Sequence, residues 1–351
     1  HLIDDSTYIF HREGSSFEGA RDALMKTGGA AINRLYPHYD RLVALAFTAP
    51  PLARAREAAR IAFESPASVT GTVRPRVLYL VHQTEGGMTQ TVIDLVHGLE
   101  KNYHAFILMS DGANLSVLEF ENQAMRTIEQ IKLAQPVFDC RLPHPEYGLV
   151  LARILQEHRI EFAHMHHLIS STLDVCSVLE TFNIPLILSI HDFFYICPTV
   201  HLLDQNNTYC AGHCTAGEGQ CPVPLQHFAS IPGLKHGWVV DWRNQISRLL
   251  RAADMIVAPS RYVLDLYKSH FPDLSDRKLR VIEHGRNLEY QGDCAMPPTP
   301  GEPVRVLVPG VISRHKGAPF IQQLAKLDGG KRLEFHFLGR IPPQLEGVGV
   351  E

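Results

Sequence analysis

The sequence predicts an α/β fold of doubly wound parallel sheets of the Rossmann-like type. Two observations predict this fold. From Arg76 onward, short and nearly continuous apolar runs alternate with segments of helical spacing, and a second series of the same kind begins at Val304. Strands that are buried on both faces read as unbroken apolar runs. Alternation of such strands with helices indicates right-handed βαβ units, and therefore parallel sheets.

The predicted strands of the first unit follow one another along the chain, with helical spacing in several of the intervals. The strands are residues 76–82, 105–109, 162–165, 185–190, 255–258 and 279–282. The helices are residues 91–99, 149–158, 243–253 and 261–269. In the second unit the predicted elements are a strand at 304–309, a helix at 317–327 and a strand at 333–338.

These patterns divide the chain of 351 residues into four regions. Residues 75–297 are expected to form one Rossmann-like domain, and residues 298–351 the start of a second. Because a domain of this class needs about 100–150 residues, we expect the second domain to be incomplete. Residues 67–74 form a linker that follows residues 1–66. That first region lacks strand–helix alternation, and its helical patterns lie at 19–25 and 53–63.

Composition and charge exclude several classes of protein. Apolar residues make up 45% of the chain and charged residues 20%, which is typical of a globular protein. The net charge of −4, without a long run of Lys or Arg, argues against a nucleic-acid-binding face. No stretch approaches the ~20 apolar residues of a transmembrane segment. Seven cysteines, an odd number, indicate a reducing compartment, so we expect a cytoplasmic protein.

Two loops after predicted strands carry candidate site residues, because ligands of open α/β sheets bind beyond the carboxyl ends of the strands. Gly86 and Gly87 allow a ligand to approach the backbone where a helix begins, and a tight turn without a ligand is the alternative. His191 follows the strand at 185–190, where a neutral imidazole can bond a sugar hydroxyl or stabilise transition-state charge. Asp192 would orient that imidazole, or else cap a loop beside a histidine that has no role.

Three further histidines, His164, His166 and His167, also lie at the end of a strand. Their spacing is not that of the zinc-binding helix of metalloproteases. We therefore interpret them mainly as structural residues.

A basic turn lies between the strand and the helix of the second unit. Arg314 and Lys316 precede Gly317 at the start of the predicted helix. Two cations at a helix N-terminus suit a diphosphate, since Arg binds it bidentately and Lys adds a point charge. A solvated basic turn is the alternative.

Four cysteines lie within one insertion that is rich in Gly, Asn and His. They are Cys197, Cys210, Cys214 and Cys221. Four thiols at this spacing could form a tetrahedral structural zinc site that closes an otherwise loose loop. Because the spacing is not a regular pair of Cys-x-x-Cys motifs, unligated cysteines or one disulfide remain as alternatives.

In chain order, these motifs resemble the family-4 group of retaining glycosyltransferases of the GT-B type. The segments that carry the resemblance are Gly86-Gly87, 163–167, 189–192 with Cys197-Pro198, 253–260, 281–285 and 315–317. The resemblance covers residues 75–340, and several ordered motifs make it specific.

The resemblance implies a role for each matching residue. Gly86 and Gly87 would approach the donor sugar and the acceptor, and His191 would face the transferred sugar, with Asp192 and His284 in support. Arg314 and Lys316, with Gly317, would hold the donor diphosphate. Catalysis in this family usually needs no divalent metal, because such cations neutralise the leaving phosphate. That phosphate is thought to help to take the acceptor proton on the same face, so that configuration is retained.

Two departures from the family pattern bear on activity. Many relatives carry Gly-Arg before the Lys-Gly loop, whereas this chain has Gly310-Val311, so that Arg314 would substitute. The paired glutamates that contact the donor in relatives lie further downstream and are absent. We therefore expect the 351 residues alone to bind donor poorly and to be inactive.

Residues 1–66 have a separate resemblance, to the tail of a family-2 glycosyltransferase of the GT-A type. It rests on the segment 1–11, on 15–17 and on Tyr36-Pro37. In that fold a late histidine such as His11 can lie near the metal–diphosphate site.

Together the two resemblances imply a piece of a multidomain glycosyltransferase of the hexosyltransferase type. It would move a sugar from a nucleotide sugar to a glycan or lipid-linked acceptor in surface polysaccharide biosynthesis. We expect it in the cytoplasm, at the periphery of the inner membrane, with adjacent domains of the same polypeptide as partners. A catalytically idle scaffold module and a nucleotide-sugar epimerase of the same fold are the alternatives.

Overall fold

The computed structural model describes residues 21–37, 39–48, 74–82, 87–214, 221, 235–286, 292, 299 and 301–340. Within these residues, eight strands form one sheet and two form another. The first sheet contains β1 (Arg76–His82), β2 (His104–Ser110), β3 (Asn114–Glu121), β4 (Ala124–Lys132), β5 (Phe162–Met165), β6 (Leu186–Ser189), β7 (Met255–Ala258) and β8 (Leu279–Val281). The second contains β9 (Val304–Pro309) and β10 (Leu333–Leu338).

Helices precede the first sheet and connect most of the parallel strands. The described helices are α1 (Arg21–Leu35), α2 (Tyr39–Thr48), α3 (Gly87–Leu99), α4 (Pro145–Glu157), α5 (Asp174–Thr181), α6 (Lys235–Ala252), α7 (Arg261–His270) and α8 (Ala318–Asp328). Within the described residues, no helix is both long and apolar enough to cross a membrane.

The strand order of the first sheet is β4-β3-β2-β1-β5-β6-β7-β8. β1 pairs in parallel with β2 on one side and with β5 on the other. The order of the strands therefore reverses between β1 and β5, which creates the topological switch point where ligands of such sheets bind. The predicted α/β fold with a parallel sheet is confirmed.

The sequence pattern predicts a sheet that is parallel throughout, and the structure differs at one edge. β3 pairs antiparallel with β2, and β4 pairs antiparallel with β3. The connection between them is a two-residue turn in which Asn122 and Gln123 have φ of 54° and 61°. Left-handed residues at both turn positions match the twist of a hairpin. The hairpin lies at the sheet edge, where β4 is largely exposed, so it lacks the apolar run of a buried strand.

The buried strands are the elements that the sequence predicts best. The predicted bounds of β1, β5, β7, β9 and β10 agree with the structure. β1 is buried on both faces: Leu78 and Leu80 pack into the larger core, while Val77, Tyr79 and Val81 pack into the core beneath α3. This two-sided burial produces the continuous apolar run that identifies the strand.

The second sheet has only two described strands, and the helices α1 and α2 precede β1 along the chain. β9 and β10 pair in parallel, with α8 between them, around a core of Val308, Ile312, Ala318 and Phe335. In the first region, residues 21–25 of the helical pattern at 19–25 fall in the longer helix α1, and residues 19 and 20 lie outside the described residues. The helix predicted at 53–63 lies outside the described residues.

Candidate functional site

The candidate site lies at the carboxyl ends of the parallel strands, beside the switch point between β1 and β5. The chain continues from β5 into His166 and His167, and the backbone N–H of His166 donates to the carbonyl of Leu80 in β1 at 2.9 Å. β6 leads into His191 and Asp192, while β8 leads towards His284. Three loops that are distant in sequence are therefore brought together at one edge of the sheet.

His191 is anchored by a histidine that directly follows the neighbouring strand β5. Its Nε2 and Nδ1 of His166 share a hydrogen bond of 2.9 Å. Behind this pair, Nε2 of His164 and the hydroxyl of Ser189 share a hydrogen bond of 2.8 Å. From the sequence, these histidines are interpreted mainly as structural residues, and His166 is not identified as the partner of His191. His164 lies in β5 and His166 directly follows that strand, two residues later, but nothing in their spacing identifies the partner of His191.

The sequence predicts that Asp192 orients His191 or caps a loop, and the structure shows the second arrangement. One of its carboxylate oxygens lies 3.2 Å from Nε2 of His167, and the other accepts the backbone N–H of Phe194 at 2.8 Å. The carboxylate thus closes a turn and fixes His167, whose Nδ1 accepts the backbone N–H of Ile169 at 3.0 Å. Towards His191, the negative charge of Asp192 opposes the lowering of the His191 pKa that burial causes.

Burial keeps the central imidazoles neutral. Desolvation, followed by the proximity of other histidines, lowers the pKa of His191 to about 4 and that of His164 to about 3. The pKa of His166 is also well below its usual value, chiefly because of burial. For Asp192 burial acts to raise the pKa, but His167 and the Phe194 N–H outweigh it and hold the pKa below its usual range. Near pH 7, His164, His166 and His191 are therefore neutral, and the carboxylate of Asp192 is charged.

His284 covers His191 from the β8 side. The two rings are stacked with centroids 5.2 Å apart and an angle of 8° between their planes. Two residues later, the Nε of Arg286 lies 3.2 Å from the carboxylate of Asp94 in α3. This ion pair ties the loop after β8 to the helix after β1, so that His284 is held above His191 from two sides.

The glycine loop after β1 is described only from Gly87 onward, and Gly86 lies outside the described residues. Gly87 is the exposed first residue of α3, and a Cβ added to it would meet no atom within 4 Å. Its backbone does not need glycine for a left-handed conformation. Neighbouring protein atoms therefore do not explain the absent side chain, which agrees with a ligand approaching the N-terminus of α3.

The basic loop of the second unit faces the insertion that follows β6. The ring of His315 stacks on that of His201 with centroids 3.7 Å apart. Burial lowers the pKa of His201; Asp192 acts to raise it and Lys316 to lower it further. Lys316 is exposed, and Gly317 (φ 91°) forms the left-handed N-cap of α8. The Arg314 backbone forms part of the turn before α8, while its side chain lies outside the described residues.

All four cysteines of the insertion line one cavity of about 130 Å³, together with His213 and Asp204. Burial raises the pKa of the Cys197 thiol to about 11, although a hydrogen bond with Thr199 opposes this. The loop is tightly packed, since a Cβ on Gly212 would lie 2.7 Å from Nε2 of His270. In the described part of the chain, no three His, Cys, Asp or Glu side chains are arranged to hold a metal ion. The structural zinc therefore stays a prediction.

A largely parallel sheet with a topological switch point, neutral imidazoles and a facing basic loop is an arrangement in which Rossmann-like domains bind ligands. The family model of Glycosyltransferase Family 4 matches residues 85–290, which include α3, β2 to β8 and the whole histidine cluster. The chain belongs to this family. No curated protein sequence matches it.

Solved structures of similar fold include two glycosyltransferases and one epimerase. A UDP-glucosyltransferase from Polygonum tinctorium is 11% identical, with 80% of this chain and 68% of that chain covered and a TM-score of 0.43. The catalytic domain of starch synthase IV from Arabidopsis thaliana, bound to ADP and acarbose, is 10% identical, with 78% and 71% covered and a TM-score of 0.44. A putative UDP-N-acetylglucosamine 2-epimerase from Listeria monocytogenes is 8% identical, with 79% and 65% covered and a TM-score of 0.41. At these values the likenesses assign no residue of the site.

Proposed function

We propose that this chain takes part in the transfer of a sugar from a nucleotide-sugar donor to a glycan or lipid-linked acceptor, with retention of configuration. The observation that carries the proposal is the convergence of His191, His284 and the start of α3 at the switch point of a family-4 domain. A cleft at this position receives the ligand in open α/β sheets.

The neutral state of His191 supports a role towards an uncharged sugar. A neutral imidazole has one N–H donor and one acceptor, so it can bond a hydroxyl without adding a charge beside an oxocarbenium-like transition state. Burial makes this bond stronger than it would be in water, since the local dielectric constant is low. His191 would therefore position the transferred sugar and stabilise its transition state.

The facing basic loop supports the donor diphosphate site. Lys316 is exposed beside the N-terminus of α8, where backbone N–H groups and the helix dipole favour an anion. The ring of its chain neighbour His315 stacks on His201 with centroids 3.7 Å apart, which brings the basic loop next to the insertion after β6. Lys316, with Arg314 and Gly317, would neutralise the leaving phosphate, and no metal ion would be needed for the chemistry.

The test compares two lysines of the same unit, within the natural polypeptide, in calorimetric titrations with UDP- and ADP-sugars and in assays of nucleotide diphosphate release. Lys316→Ala should weaken donor binding about tenfold to a hundredfold, because a charge-assisted hydrogen bond is lost. Lys326→Ala, in the last turn of α8, is the matched control and should bind as the unaltered chain does. Equal binding by both variants would refute the diphosphate site.

Product analysis separates transfer from the epimerase and scaffold alternatives. A transferase consumes donor and releases the nucleotide diphosphate, and its turnover rises with a glycan or lipid-linked acceptor. An epimerase changes the donor sugar without an acceptor, and an idle scaffold binds or changes nothing. Nuclear magnetic resonance of the anomeric proton in the product reports whether configuration is retained.

We also propose that residues 1–66 are the end of a preceding GT-A domain in a multidomain enzyme of surface polysaccharide biosynthesis, at work in the cytoplasm beside the inner membrane. Large apolar side chains of the α1 region are exposed, among them Met25, Leu35 and Tyr36. Such side chains are typical of a helix that packs against further structure. Limited proteolysis of the natural polypeptide tests this: the region should resist cleavage only when the preceding domain is attached.

A further inference from the structure

We propose that His166 is a positioning residue whose Nδ1–H donates to Nε2 of His191 and so fixes the tautomer of His191 with its own proton on Nδ1. The proposal rests on the proposed function only for the use that the enzyme makes of this tautomer. The tautomer itself follows from the packing around the two rings.

His166 is enclosed on every side that the structure describes. The residue is 1% exposed, and its ring lies against His164 (centroids 4.1 Å apart), His191 (5.1 Å) and Tyr79 (5.9 Å). Of its two ring nitrogens, Nδ1 lies 2.9 Å from Nε2 of His191, whereas Nε2 is buried and has no hydrogen-bond partner among the described residues. The two nitrogens of one ring therefore have opposite environments.

This asymmetry selects where the proton of His166 resides. If Nε2 carried it, a buried N–H donor would be left without an acceptor, a rare and costly state in a protein interior. If Nδ1 carries it, the proton is used in the hydrogen bond to His191, and only an acceptor lone pair is left unpaired at Nε2. The second arrangement makes His166 the donor and Nε2 of His191 the acceptor.

The consequence for His191 is a defined hydrogen-bonding role. Since its Nε2 accepts from His166, a neutral His191 carries its proton on Nδ1 and presents this nitrogen to a ligand as a donor. A donor suits an oxygen that bears lone pairs or gains negative charge, such as a sugar hydroxyl oxygen or a phosphate oxygen. With the proton on Nε2 instead, the ligand would meet an acceptor.

No other group among the described residues forms a hydrogen bond with His191 that could set its tautomer. The carboxylate of Asp192 bonds to His167 and the Phe194 N–H, and the ring of His284 stacks on His191 rather than bonding in its plane. His164 is paired with Ser189. The hydrogen bond from His166 is therefore the contact that sets the tautomer of His191.

The first test reads the tautomer directly, in the absence of any donor. Nitrogen-15 spectra of histidine-labelled protein distinguish Nδ1–H from Nε2–H rings, and His191→Gln assigns the signal. We expect the Nδ1–H form in the unaltered chain and a shift towards the Nε2–H form or a mixture in His166→Leu. His166→Asn should retain the Nδ1–H form, because its amide N–H stands near the place of the imidazole Nδ1–H. An Nε2–H form in the unaltered chain, or an unchanged His191 in His166→Leu, overturns the proposal.

The second test reads function with the same variants. In release of nucleotide diphosphate from UDP- or ADP-sugars by the natural polypeptide, His166→Leu should lower kcat at least tenfold with little change in KM, and His166→Asn should recover most of the loss. Equal loss in both variants would mean that His166 is merely structural. If the tautomer is as proposed but His191→Gln leaves donor turnover unchanged, the proposed function of His191 fails while the positioning by His166 stands.

Discussion

The two sheets hold their candidate site residues in different ways. In the first sheet, His191 is anchored by His166, which is 1% exposed, and the layer behind it is also hydrogen-bonded. In the second, Lys316 lies on an exposed turn, and α8 leaves Phe320 77% and Leu327 78% exposed. Buried packing holds the rings of His166 and His191 in one arrangement. Lys316, by contrast, is a point charge on a flexible side chain.

This difference matches the roles proposed for His191 and Lys316. A directional hydrogen bond to a sugar needs a ring whose tautomer and orientation are fixed by supporting contacts. A lysine that neutralises a phosphate acts as a point charge and tolerates several positions. In the proposed function, the first sheet would therefore carry the directional hydrogen bond and the second the positive charge.

The largest effect that the comparison predicts is on stability in acid. In the unfolded chain histidine titrates at about 6.5, while in the folded chain the pKa of His191 is about 4. Between these values the unfolded chain binds more protons, so the free energy of unfolding must fall as the pH falls from 6.5 to 4. The share of His191 is on the order of 3 kcal/mol.

Urea unfolding at pH 4 to 7 measures this loss. His191→Gln should show a smaller fall in the free energy of unfolding than the unaltered chain, because glutamine does not titrate. His97→Gln, on the half-buried surface of α3, is the control and should behave as the unaltered chain. A fall of the same size in all three proteins would contradict the assignment of a buried neutral ring to His191.

The sequence predicted the buried strands well, and for one reason. β1, β5 and β7 are covered on both faces, and this burial leaves an apolar run that can be read directly. The hairpin of β3 and β4 lies at an edge and leaves no such run. The role of His166 could not be read either, because it depends on a contact with a residue 25 positions away, which only the pairing of β5 with β6 brings about.

A smaller effect is expected at the N-terminus of α3. Gly87→Ala should lower donor turnover about tenfold, since a methyl group would occupy the space that a ligand approaches, at a cost of about 1–3 kcal/mol of the kind seen for overpacking. The same change should not destabilise the fold, because its Cβ meets open space and alanine favours a helix by roughly 0.5–1 kcal/mol.

Gly98→Ala in the same helix is the matched control for Gly87→Ala. Its Cβ also meets nothing within 4 Å, and it lies near the other end of α3. Donor turnover should be unchanged in Gly98→Ala, and the temperature of thermal unfolding should rise slightly in both variants. Equal turnover in the two variants would remove Gly87 from the site.

The smallest effect on activity is expected at the cysteine cavity. We propose that Cys197, Cys210, Cys214 and Cys221 bind one structural zinc ion, for which elemental analysis of protein purified without chelators should find one equivalent. Cys197→Ser should lose the metal and unfold at a lower temperature, whereas Cys176→Ser, buried elsewhere in the core, should keep the metal. Metal-free protein with these thiols titratable, or with one disulfide, would support the alternatives instead.

The central claim is that His191 acts on the transferred sugar from the switch point of a family-4 domain. The most direct measurement is the rate of nucleotide diphosphate release from UDP- and ADP-sugars by the natural polypeptide, with His191→Gln beside His97→Gln. The account predicts a loss of about a hundredfold or more in kcat for His191→Gln, the size typical of a lost transition-state hydrogen bond in a preorganised site, and no loss for His97→Gln. Equal rates for the two variants would contradict it.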